Sequence, residues 1–226
     1  MKLHAHPGST TCRPILLFAA EAGIALDLAF VDLFAGDHRS PGFAAINPNR
    51  AVPVLEDGSF RLTECSAILK YLAERAGSPA YPAGPQARAR INALMDWFNT
   101  GFYRAFGYGL VYPQVLPEHA WPSAQIQDIA LARAEAEARR HLDVLDRHHL
   151  DGEAPFLGGA VPSLADHLGA AYVTIGELID FDLAPWPRVR RWLAAMKARP
   201  AWAPVNAAFE GWVELHRQAR RYRSAA

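Results

Sequence analysis

The chain has 226 residues, 51% of them apolar, and its 23 basic residues are balanced by 23 acidic ones. That length supports one large domain or two small ones, and the even charge leaves no basic footprint for nucleic acid. No apolar run of the roughly 18 residues a membrane span needs is present, the start "MKLHAHPG" lacks a signal-peptide core, and two cysteines are too few for a zinc site. A soluble cytoplasmic protein, binding neither metal, membrane nor nucleic acid, is the expectation.

In chain order, "KLHAH" (2–6) reads as a strand, "CRPILLFAAEAG" (12–23) as a helix stopped by Gly23, and "LDLAFVDL" (26–33) as a second strand. A polar stretch with a helical turn at 41–46 follows. Then "VPVLEDGSFRLT" reads as two strands joined by the Asp57-Gly58 hairpin signal, and "CSAILKYLAERAG" as a helix ending at Gly77. The βαβ unit implies parallel strands and the ββ hairpin antiparallel ones, so a mixed sheet is expected. "SPAYPAGPQ" (78–86), with three prolines and a glycine, marks a linker. Beyond it every periodic segment is helical: 87–112, where Ile91, Leu94, Met95, Phe98 and Phe102 share a face, then 122–149, 163–179, 186–199 and 201–218. The expected division is an α/β domain over 1–78 and an all-α domain over 86–226.

The segments "HPGSTTCRPILL", "GDHRSPGFAAINP", "AVPVLEDG", "LTECSAI" and "PSLADH", in this order and spacing, resemble those of the cytosolic glutathione transferases, phi- and theta-like bacterial members above all. The resemblance implies a thioredoxin-like N-terminal domain with a mixed four-stranded sheet, a helical second domain and a homodimer. It implies glutathione as co-substrate and conjugation of its sulfur to a small hydrophobic electrophile. Alternatives on the same scaffold are a glutathione-dependent peroxidase, dehalogenase or isomerase, or a non-catalytic binding protein. It also implies a cis Val52-Pro53 bond, with the Val52 backbone pairing the cysteinyl main chain of glutathione. Glu64 would face the γ-glutamyl ammonium, and the N–H groups of Cys65 and Ser66 would take its carboxylate at the helix N-terminus. His38 and Arg39 match positions that reach the glycyl carboxylate. Cys65 stands where serine is usual and Ala51 where glutamine often precedes Val-Pro, so weaker glutathione contacts are expected there, with Ser66 and Arg50 as neighbours able to compensate. Asn49 replaces the aromatic that often follows Asn-Pro at the dimer contact.

At the first strand-to-helix turn, Ser9 aligns with the family serine whose hydroxyl stabilises the glutathione thiolate, so Ser9 is the expected catalytic residue, with Thr10 beside it in the glutathione site. Thr10 and Thr11 are alternatives for the sulfur contact. Cys12, three residues on, is either a mixed-disulfide nucleophile or a buried structural thiol. "WFNTGFYRAFGYGLVY" (97–112) holds seven aromatics in sixteen residues, more than one core stripe needs. Tyr103, Phe106 and Tyr108 are the expected acceptor-site residues, and Arg104 is read as a solvated surface residue. Ser163 and Asp166 read as a helix-capping box with a role in stability. The adjacent His148 and His149 diverge by about 100° on a helix and read as surface residues. "RQARRYR" (217–223) is a short basic tail.

Overall fold

A computed structural model describes residues 1–219 and 222; residues 220, 221 and 223 of the basic tail lie outside the described residues. The first half carries strands β1 (Lys2–Ala5), β2 (Asp27–Phe30), β3 (Val54–Asp57) and β4 (Phe60–Thr63), with helices α1 (Arg13–Glu21), α2 (Pro41–Ile46) and α3 (Cys65–Arg75). The sheet order is β2-β1-β3-β4, with β1 parallel to β2 and antiparallel to β3, so the sheet is mixed as the hairpin and βαβ signals predict. Leu3 pairs with Leu28 on one side and Leu55 on the other, which seats Leu3 and Leu55 in the core. Helices α1 and α3 pack together over the larger core, while α2 closes a small cluster of Val31, Phe43 and Val54. Gly58, at φ 61, supplies the left-handed position that the β3–β4 hairpin turn requires.

The second half is helical: α4 (Pro85–Asp96), α5 (Tyr112–Val115), α6 (Ala124–Val144), α7 (Leu164–Thr174), α8 (Pro187–Lys197) and α9 (Trp202–Ala219). The predicted helix 87–112 does not run as one α-helix. After Asp96 it widens into two π-helical stretches, Trp97–Phe102 and Arg104–Val111, before α5. Bare glycines accompany the widening, since a Cβ at Gly109 would lie 2.8 Å from the Ala134 Cβ on α6. The predicted helix 122–149 likewise ends in a π-helical turn, Leu145–His149, and 163–179 tightens into a 3₁₀ turn over Ile175–Ile179. His148 is exposed as expected, but His149 is half-buried, with its ring 5.0 Å from that of Trp97. Among the described residues no helix is long and apolar enough to cross a membrane.

The capping box at α7 is present and buried. The Asp166 carboxylate accepts from Ser163 N and Oγ (both 2.7 Å), Leu157 N, Gly158 N and Trp192 Nε1. Five donors on one carboxylate tie the preceding loop and α8 to the start of α7, a structural role.

Candidate active site

A cavity of about 990 Å³ opens between the two halves, walled by the turn before α1, the 47–53 loop, the start of α3, the π-helical segment and α9. Ser9, Thr10, His38, Arg39, Val52, Pro53, Glu64, Cys65, Tyr103 and Tyr108 all line it. Phe106 does not. It is fully buried, its ring packed on Phe102 and Phe181, and it belongs to the core. The π-helical bonds explain the error. In an α-helix residues five apart diverge by about 140°, whereas i→i+5 bonding brings them onto one face. Tyr108 thus lies beside Tyr103, ring centroids 5.1 Å apart, and Tyr112 joins them at 5.9 Å from Tyr103.

Two strand-to-helix junctions face the cavity. At the first, Ser9 O accepts from Cys12 N and Arg13 N, so the turn is closed by its own backbone. Thr11 Oγ1 donates to Val52 O (3.1 Å), and Ser9 Oγ lies 3.2 Å from Thr11 Oγ1. Cys12 is fully buried and does not line the cavity. Burial pushes its thiol up to about 11, a rise that Ser9 and the His6 backbone only partly offset. A thiol so protonated and enclosed is no nucleophile at neutral pH, which favours the structural reading of Cys12. It and Cys65 are both free.

At the second junction Glu64 has φ 68 and ψ 119, a conformation non-glycine residues rarely adopt and one that costs about 1–3 kcal/mol. No side chain caps α3, and the Glu64 carboxylate is exposed, with no partner among the described residues. The first N–H groups of α3 are therefore available to an anion beside a free carboxylate. Burial pushes the Cys65 thiol well above its usual range, so that side chain stays neutral. Ser66 Oγ accepts from Asn99 Nδ2 (3.3 Å), and Asn99 Oδ1 accepts from Tyr172 (2.8 Å).

The far end of the cavity is cationic. Arg39 Nε donates to His38 Nε2 (3.3 Å), and the other ring nitrogen, His38 Nδ1, is buried with no partner among the described residues. Arg39 itself is 4.0 Å from Glu118 across the mouth. Val52-Pro53 is a cis peptide bond, as expected, in a loop held by Asn47 Nδ2 donating to Ala51 O (2.7 Å).

Sequence reasoning missed several lining residues: His6, Phe34, Asn99, His119, Tyr172 and Trp212. Phe34 meets both His6 (5.4 Å) and Trp212 (5.8 Å), so α9 and the β2–α2 segment share one aromatic wall. Arg13, just behind the wall, was also missed. It is buried, donating to Asn206 Oδ1 (2.9 Å), Ala171 O (2.8 Å) and Thr174 Oγ1 (3.2 Å), with its guanidinium 3.7 Å from the Phe209 ring centroid. Burial lowers its pKa to about 10, which still leaves it charged at neutral pH. The sequence signal was a cation at a helix N-terminus, where the dipole disfavours it.

The family profile described as "Glutathione S-transferase, N-terminal domain" matches residues 1–74. Human glutathione S-transferase theta-1 is 38% identical over 164 residues, 70% of this chain and 65% of that protein, so the match spans just under two thirds of this relative. The bovine theta-1 enzyme is 39% identical over the same shares. Among solved structures, human glutathione S-transferase T1-1 in its apo form superposes with TM-score 0.78 at 30% identity, covering 99% of this chain and 92% of that one. The human theta-class transferase in complex with the glutathione conjugate of 1-menaphthyl sulfate gives TM-score 0.84 at 30% identity, covering 96% and 89%.

Proposed function

The chain belongs to the cytosolic glutathione transferase family, and on that premise we propose that it binds glutathione in the cavity and conjugates its sulfur to a small hydrophobic electrophile. The observation that carries this is the convergence on one cavity of an uncapped, strained α3 start and a turn rich in hydroxyls before α1. The γ-glutamyl carboxylate sits on the N–H groups of Cys65 and Ser66, where the helix dipole favours an anion, and Glu64 meets the ammonium. The Val52 backbone pairs the cysteinyl residue, and His38 Nδ1 and Arg39 take the glycyl carboxylate.

With the tripeptide so placed, its sulfur faces the Ser9–Thr11 turn. The thiol loses its proton to solvent, and hydroxyl donors with the charge of Arg13 behind them stabilise the thiolate. Lowering a thiol from about 8.5 by roughly two units requires about 2.7 kcal/mol of differential stabilisation, within reach of two charge-assisted hydrogen bonds. The thiolate then attacks the electrophilic carbon, forming the C–S bond as the leaving group departs. Tyr103, Tyr108, Phe34 and Trp212 form the apolar wall for that electrophile. A homodimer in the cytoplasm completes the reading; two free thiols suit a reducing compartment, and Phe60 on the β4 edge, 46% exposed, is available for a subunit contact.

The test is thiolate absorbance of bound glutathione against pH, with conjugation rate alongside. Ser9→Ala should leave affinity nearly intact, raise the bound thiol's pKa and slow conjugation at neutral pH about ten-fold. Cys12→Ala should change neither. Loss of activity in Cys12→Ala but not in Ser9→Ala would mean chemistry through a mixed disulfide, and the assignment would be wrong.

A further inference from the structure

Each hydroxyl has one proton, and counting protons around the first junction separates three neighbouring side chains that sequence alone leaves equivalent. Thr11 Oγ1 gives its proton to Val52 O, because a carbonyl can only accept. The Ser9–Thr11 contact of 3.2 Å must then use the proton of Ser9. Tyr112 donates to Thr10 Oγ1 at 2.8 Å, so the 2.6 Å contact between Tyr103 and Tyr112 must use the proton of Tyr103. Every proton in the two chains is committed except that of Thr10, for which the described residues provide no acceptor. Thr10 lines the cavity, is 5% exposed, and accepts from a buried phenol, so its own O–H has one open direction.

Taking the glutathione reading above as its basis, we propose that Thr10 is a second donor to the glutathione sulfur and that Tyr112 is a positioning residue which, backed by Tyr103, turns the Thr10 proton into the cavity. The geometry is prepared before glutathione arrives: Tyr112 and Tyr103 are themselves buried, and the Tyr103 ring is stacked on Tyr172 at 4.1 Å. Burial pushes Tyr112 up to about 12 and Tyr103 well above its ordinary value, so both phenols keep their protons and act as donors across the neutral range. The role suits electrostatic preorganisation, in which a donor aimed at developing charge needs no reorientation when the charge forms. Ser9, by contrast, must release Thr11 before it can donate to sulfur. No bond to Thr10 forms or breaks in the reaction; the thiol proton goes to solvent, and Thr10 keeps its own.

The test follows the ultraviolet absorbance of the bound glutathione thiolate against pH in the intact protein and in Thr10→Val, Thr10→Ser, Tyr112→Phe and the Thr10→Val/Tyr112→Phe double variant. Thr10→Val should raise the thiol pKa by about one unit, roughly a three-fold loss of thiolate at pH 7 for a bound thiol lowered to about 6.5, with glutathione affinity little changed. Thr10→Ser should restore it. Tyr112→Phe should raise it by a smaller amount, and the double variant should match Thr10→Val, because Tyr112 acts through Thr10. The double variant also removes both partners of the Thr10–Tyr112 bond, and the Tyr103 hydroxyl loses its acceptor equally in Tyr112→Phe and in the double variant, so that loss cancels when the two are compared. An unshifted thiol in both Thr10→Val and the double variant, or single shifts that simply add, would overturn the inference. If Ser9→Ala still moved the thiol pKa, the functional reading would survive that result. A thiol in the unmodified protein that titrates as it does in free glutathione would overturn both.

Discussion

The two strand-to-helix junctions that face the cavity solve opposite problems. The turn before α1 is closed: its backbone bonds itself, its hydroxyls are chained, and Arg13 anchors it to α7 and α9. The turn before α3 is open, with a strained Glu64, no capping side chain and an exposed carboxylate. Helix starts normally recruit a cap worth about 1 kcal/mol, and strain of this kind persists only where the surroundings hold it. Neither helix start carries a side-chain cap, so what sets the α3 start apart is its strained residue and its exposed carboxylate, unpaired among the described residues. On the proposed function, the closed junction holds the hydroxyl donors for the sulfur and the open one offers its helix N–H groups to the α-amino-acid end of glutathione.

The largest effect expected from breaking this contrast is at Arg13. Arg13→Met keeps most of the side-chain volume but leaves Asn206 Oδ1 without its donor and removes the charged bonds to Ala171 O and Thr174 Oγ1, and should destabilise the fold by about 3 kcal/mol. Urea unfolding should show a lower midpoint with an unchanged slope. Loss of stability below about 1 kcal/mol would mean that the closed junction is not a tie between the halves. A smaller effect, confined to function, is expected at the open junction. Glu64→Ala should weaken glutathione about ten-fold or more, as loss of one charged partner of 1.5–3 kcal/mol implies, with thermal stability nearly unchanged. Glu64→Gly should lose the same affinity while gaining about 1 kcal/mol of stability, because glycine adopts φ 68 without strain. A stability gain in neither variant would remove the argument that strain is held there for a ligand.

Much of the N-terminal half was legible because its signals are local. Asp57-Gly58 sets the hairpin and the Gly23 and Gly77 stops end α1 and α3 near the expected places; in the second half the Ser163–Asp166 box marks the start of α7 in the same local way. Ser9, His38, Arg39, Val52 and Glu64 were named through the resemblance of their segments to glutathione transferases, and all five line the cavity. The acceptor wall was legible only in part, since the reading assumed α-helical period across 87–112. The switch to π-helical bonding after Asp96 turned Phe106 into the core and brought Tyr112 to the cavity. Nor could pattern show that Thr10 and Tyr112, 102 residues apart in sequence, share a hydrogen bond, because that contact depends on how the two halves dock. Trp212 and Phe34 were missed for the same reason: each reads locally as one exposed aromatic, and only packing joins them.

The central claim is that the open junction at Glu64 and Cys65 recognises the γ-glutamyl end of glutathione. Calorimetric titration with glutathione and with cysteinylglycine, which lacks that end, tests it most directly. The account predicts that glutathione binds at millimolar concentration or below and that cysteinylglycine binds at least ten-fold more weakly, through the Val52 and glycyl contacts alone. Equal affinity for the two, or no binding of glutathione at millimolar concentration, would contradict it.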